Sequence, residues 1–153
     1  MENSSNVDGE HSIRAMTHGP QSREYWPMKR ASHMDLTLAR LHRVNVLLMG
    51  PQPLVEDALQ RLLPELREPI YTWTAPDPLE LPSPEQSGTL ILREIGELVP
   101  ADQQRLAWWL ESSAGRTQVI STTASQLVKR VDAGVFLDTL YYRLNVVCVD
   151  ISA

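Results

Sequence analysis

The chain has 153 residues, 42% of them hydrophobic, with a net charge of −5 and a pI near 5.3. That length and apolar share suit one globular domain plus a tail, and the acidic balance argues against a broad nucleic-acid footprint, which needs a basic patch. A single cysteine, Cys148, excludes an intrachain disulfide and suits a reducing cytoplasm, and no apolar run approaches the roughly 20 residues that span a bilayer.

Residues 1–34 are rich in Ser, Asn, His, Gly and charge. They offer little that can be buried periodically, so they are expected to form a disordered or non-native tail without a secretory signal. Tyr25 and Trp26 are its aromatic exception. Ala31–Met34 reads as a cloning scar or a misplaced start codon, and the domain proper is taken as 35–153. Asp35–Arg43 reads as a short helix or an irregular lead-in. Val44–Met49 is a predicted strand closed by Gly50-Pro51. A helix follows over Leu54–Leu66, with Leu54, Ala58, Leu62 and Leu66 on one stripe widened by Val55, Leu59 and Leu63. Pro53 suits its start, and Pro64 kinks or ends its last turn.

Pro69–Thr74 is a predicted strand, and the proline-rich Asp77–Ser87 a loop. Thr89–Leu92 is a buried strand that ends in charge, Arg93 and Glu94. Pro100 opens a helix to about Ser112 that buries Leu106, Trp109 and Leu110, and Gly115 helps end it. Thr117–Ser121 is a strand. Ser125 is the expected N-cap of a helix over Gln126–Asp132, with Gly134 as its stop. Phe136–Leu144 is a short helix, its start marked by Asp138 and Thr139, and Val146–Ile151 the last strand. Alternating strands and helices predict a parallel sheet covered on both faces. Adjacent helical residues lie about 100° apart, so Trp108 faces outward as a contact surface or sits partly against the loop after Ser112. His11, His18, His33 and His42 lack metal-ligand spacing.

Gly88–Leu98, GTLILREIGEL, resembles the Walker B segment of the AAA+ domain in sigma-54-dependent transcription activators. The resemblance continues through Gln103-Gln104-Arg105-Leu106, TQVISTTAS and FLDTLYYRLNVVCVDI. Its most specific piece is Leu140–Val146, LYYRLNV, while Val46–Leu63 fits more weakly. It implies an α/β, P-loop NTPase-like core of three layers. It also implies a parallel five-stranded sheet in the order 5-1-4-3-2, with no helical lid expected.

The departures from that family bear on chemistry. A phosphate-binding loop needs glycines, a Lys and a Ser or Thr. Here the place reads Gly50-Pro51-Gln52-Pro53-Leu54-Val55-Glu56-Asp57. Only Gly50 persists, the prolines lack N–H donors, and Glu56 and Asp57 would repel a triphosphate. Arg93 replaces the magnesium-holding Asp, and a guanidinium does not bind a metal ion as a carboxylate does. Glu94, in the place of the water-polarising Glu, then caps a neighbouring loop, and Arg93 and Glu94 find local salt-bridge partners. The sensor Asn falls at Ala124. Of two arginine fingers, one falls at Leu137 and the other is kept as Arg143, held by packing within Leu140–Asn145 or reaching a partner's site. Ala75–Ser87 is too short for the loop that touches the sigma factor.

The sequence therefore predicts a cytoplasmic pseudo-ATPase without ATP, magnesium or another metal. It would work through protein contact in transcriptional or signalling control, with an AAA+ activator or a second copy as partner and no direct contact with DNA or membrane. The alternatives are Arg143 acting in trans on a partner ATPase, and weak ATP binding as a sigma-54-type regulator. A receiver-like module, suggested by PLVEDALQRLL after Gly50, lacks the acidic cluster and phosphorylatable Asp it needs.

Overall fold

Leu90, Ile91 and Leu92 are apolar on both faces of one strand, so that strand must be covered on both sides. The computed structural model, which describes residues 43–151, shows how. In chain order the elements are β1 (Val46–Met49), α1 (Gln52–Leu62), β2 (Ile70–Thr74), β3 (Gly88–Arg93), α2 (Pro100–Ser113), β4 (Thr117–Thr123), α3 (Leu127–Asp132), α4 (Asp138–Leu144) and β5 (Val147–Asp150). Short 3-10 turns lie at Leu63–Glu65 and Ile95–Glu97. The strands form one five-stranded parallel sheet in the order β2-β3-β4-β1-β5, which is the expected 5-1-4-3-2.

Side-chain alternation divides the core between the faces. Leu47, Leu90, Leu92 and Val119 point to one side, where Leu106 and Trp109 of α2, Leu127 of α3 and Leu140 and Leu144 of α4 cover them. Val46, Leu48, Ile91 and Ile120 point to the other, under Val55, Leu59 and Leu62 of α1 and the following Leu66. These are the expected three layers. Burying each such side chain stabilises the fold by about 1.5–3 kcal/mol.

Several boundaries and faces differ from the sequence reading. The stripe of α1 is centred on Val55, Leu59 and Leu62, and Leu54 is exposed. Pro51 is the residue before the helix, which places Leu54 in the first turn, ahead of the sheet contact. Pro64 has the expected effect, since α1 gives way to a 3-10 turn at Leu63. Ser125 is not an N-cap. Gln126 takes that position without a side-chain bond, while the Ser125 hydroxyl lies 3.2 Å from that of Thr123. Val44 and Val146 stand outside β1 and β5, and α4 starts at Asp138 rather than Phe136. Asp35–His42, the tail and the last two residues lie outside the described residues.

The loop between β2 and β3 is pinned by side chains that no periodicity announces. The indole N–H groups of Trp73 and Trp109 donate to the carbonyls of Asp77 and Pro82 at 2.8 and 2.7 Å. Arg116 donates to Pro84 at 3.1 Å and Thr117 to Gln86 at 2.9 Å. β3 can start only at a glycine. Gly88 has φ +136°, and a Cβ there would run into the carbonyl oxygen of Pro69. Among the described residues no helix is long and apolar enough to cross a membrane.

Candidate functional site

In an open parallel sheet, ligands bind beyond the carboxyl ends of the strands. Here that edge gathers Met49-Gly50 at the end of β1, Arg93-Glu94 at the end of β3 and Thr123-Ala124 at the end of β4. Arg93 follows Ile91 on the α1 face of the sheet. Glu56 follows Val55 on α1, one step round from the buried stripe. The two meet as a bidentate pair. Arg93 Nε donates to Glu56 Oε2 at 3.0 Å, and Arg93 Nη2 donates to Glu56 Oε1 at 3.1 Å. Gln60, one helical turn on, donates to the same Oε1 at 3.0 Å. These bonds hold the Glu56 carboxyl below its ordinary range, Arg93 first and Gln60 second, with burial opposing. Asp57 pairs with Arg61 at 3.0 Å along α1. The repulsion expected of Glu56 and Asp57 toward an anion is therefore offset at both residues by an arginine.

The β1–α1 connection has almost no free donors. Gly50 donates its N–H to Thr123 O at 3.0 Å. Leu54 and Val55 both donate to Pro51 O at 3.0 Å. Pro51 and Pro53 have no N–H to give. Within Gly50–Val55, Gln52 alone keeps an N–H without a partner among the described residues.

Glu94 has a left-handed backbone, φ 55° and ψ 53°, unusual for a residue with a side chain. Its N–H donates to Thr122 Oγ1 at 3.2 Å, and its carboxylate accepts a long 3.4 Å bond from Ala124 N. Glu94 thus ties the end of β3 to the turn after β4. It makes no salt bridge among the described residues, whereas Arg93 does. Ala124 stands in that turn with only its backbone to offer.

Arg143 lies away from this cluster, in the last turn of α4. It is exposed rather than packed within Leu140–Asn145, and its guanidinium has no ion pair among the described residues. Leu137, the residue before α4, donates its N–H to Gln103 Oε1 at 2.8 Å. Trp108 is 65% exposed and lines a groove of about 600 Å³ with Leu81–Pro84 and Trp109. The loop beside it is thus the β2–β3 connection and not the segment after Ser112. Among the described residues no three His, Cys, Asp or Glu side chains are placed to hold a metal ion.

Two positioning residues escaped the sequence reading. Gln103 is buried, with both amide N–H groups donated, to Leu98 O and Val135 O at 2.9 and 3.0 Å, while its oxygen accepts from Leu137. Asn45 donates to Arg143 O and accepts from Val119 N, both at 2.9 Å. A Gln in a helix whose neighbours are buried was the only available hint of the first, and nothing local announced the second.

Residues 30–153 match the family model described as the sigma-54 interaction domain. The transcriptional regulatory protein ZraR of Escherichia coli K12 is 39% identical over 77 residues, 43% of this chain and 18% of ZraR. The 23S rRNA (uracil(1939)-C(5))-methyltransferase RlmD of Vibrio cholerae is 31% identical over 81 residues, 51% of this chain and 18% of RlmD. The fold is similar to that of NtrX from Brucella abortus in complex with ADP, with a TM-score of 0.57 and 19% identity over 78% of this chain and 34% of NtrX. The chain thus spans under a fifth of either curated relative. With the match covering the whole described region, the chain belongs to the sigma-54 interaction domain family.

Proposed function

We propose that this chain is an AAA+-type domain that neither binds nor hydrolyses ATP and serves transcriptional control through contact with another protein. The observation that carries this reading is the scarcity of donors at Gly50–Val55. A phosphate cradle is built from several convergent N–H groups and a cation. This loop keeps one unpartnered N–H and no lysine, and the arginine beside it is committed to Glu56. Arg93 also takes the place from which an acid would hold magnesium. The residues present do not fit a magnesium triphosphate, and no catalytic step follows through one. The likeness to RlmD is confined to 18% of that protein and gives no ground for transferring its activity.

The expected partner is an AAA+ activator or a second copy of this chain, with exposed Trp108 at the contact. No direct contact with DNA or membrane is expected. Titration calorimetry with ATP and magnesium should show no binding at micromolar concentrations, and purified chain should release no phosphate. Micromolar binding, or phosphate release lost in Glu94→Gln, would overturn the reading.

A second reading is favoured by one observation, the exposed guanidinium of Arg143, which has no ion pair among the described residues. An arginine so presented can stabilise charge on a phosphoryl group in a partner's site. Mixing this chain with a complete activator ATPase should then raise turnover, and Arg143→Ala should remove the gain. Unchanged turnover on mixing excludes it.

A further inference from the structure

Two departures from the activator pattern are complementary. Arg93 stands where that family has a metal-holding acid, and Glu56 stands in the stretch that replaces the phosphate-binding loop. Either alone would leave an unbalanced charge at the carboxyl edge of the sheet. In a P-loop NTPase the β1–α1 segment and the end of β3 are joined through ligand, with phosphates on one and magnesium on the other. Here two side chains cross that gap directly.

We propose that the Arg93–Glu56 pair is an internal strap, fixing α1 to the end of β3 in the place of a bound ligand, so that α1 keeps one position with or without nucleotide. The last clause rests on the no-nucleotide reading above, and the strap itself does not. Several features support it. The first turn of α1 has no side-chain cap and exposes Leu54, so apolar packing holds this end of the helix only through Val55. Glu56 is the next residue. Gln60 fixes its carboxylate from behind, and the planar guanidinium engages both oxygens, which a lysine cannot match. The pair is partly shielded, with side-chain exposures of 24% and 40%, whereas Asp57 and Arg61 are 61% and 80% exposed and join α1 only to itself. The Asp57–Arg61 pair is therefore a built-in control.

The test is amide hydrogen exchange of the full chain, read over Gln52–Leu62 and over the sheet, with and without magnesium-ATP. Arg93→Ala and the milder Glu56→Gln should each speed exchange in α1 about three- to fivefold, as loss of a partly shielded bidentate pair implies. The charge-reversed double variant E56R/R93E should recover most of the protection, and Asp57→Asn should leave it unchanged. Unchanged exchange in both single variants overturns the strap. So does an equal effect of Asp57→Asn, or a rise spread evenly over sheet and helix. Added ATP should alter nothing. If it slows exchange in the unaltered chain, the no-nucleotide reading falls, while the strap is still judged on Arg93→Ala and Glu56→Gln alone.

Discussion

The side-chain amide of Asn45, just before β1, donates to the carbonyl oxygen of Arg143 at 2.9 Å across 98 residues of sequence. Its oxygen accepts from Val119 N at the same distance. One amide thus ties the lead into β1 to β4 and to the end of α4, and helps set where Arg143 leaves the surface. Asn45→Ala should lower stability by about 1–2 kcal/mol, the loss expected when paired backbone groups lose a partner. Asn45→Asp keeps an acceptor for Val119 but faces a carboxylate toward the Arg143 carbonyl, so it should do no better. Urea midpoints measure both.

Acid stability offers a second check. The Glu56 carboxyl lies below its ordinary value of 4.5, held down first by Arg93. Because the folded value is the depressed one, the unfolded chain takes up the proton first as pH falls. The contribution is fully present above 4.5 and is lost as pH drops through the folded value. At neutral pH Glu56→Gln should be less stable by about 1 kcal/mol at most, given how exposed the pair is. The difference should shrink on acidification. A gap that is unchanged at about pH 2 would contradict the linkage.

At Gly88 the backbone has φ +136° and no room for a Cβ beside Pro69 O. Gly88→Ala should destabilise by about 2 kcal/mol or more, through strain and displacement of the β2–β3 edge. Gly115 also has a positive φ, +75°, but open space around it. Gly115→Ala should therefore be the milder change, with thermal melting to rank the two.

Burial first, and the Asp150 charge second, push the Cys148 thiol up to about 11. The thiolate is the reactive form, so at pH 8 only about one thiol in a thousand is ready to react. Alkylation by iodoacetamide should be slow in the folded chain and fast in urea. The unfolded thiol, near 9.0, ionises first as pH rises, so stability should decline above pH 9.

Trp109 shows how far a residue's role was legible in the chain itself. Its helical position marked it as buried, and it is. Its bond to Pro82 was invisible, because that contact joins a helix to a loop without periodicity. Trp109→Phe should keep most of the packing but orphan the Pro82 carbonyl, at about 1–3 kcal/mol. Faster proteolysis within 81–87 would register the freed loop.

The alternation of apolar runs, with the prolines and glycines between them, determined the α/β class, because these are local or periodic properties of the chain, whereas the family and the sheet order came only through the resemblance carried by GTLILREIGEL and LYYRLNV. The same letters are the ground for expecting departures at Gly50–Asp57, Arg93 and Ala124, since which chemical groups a position carries can be read without coordinates. Only the tertiary structure decided that Arg93 and Glu56 cancel one another, that Asn45 holds the end of α4, and that Trp108 faces a groove beside Leu81–Pro84. Each of those depends on which distant segments the parallel crossovers bring to one edge, and pairing across such distances leaves no period in the sequence.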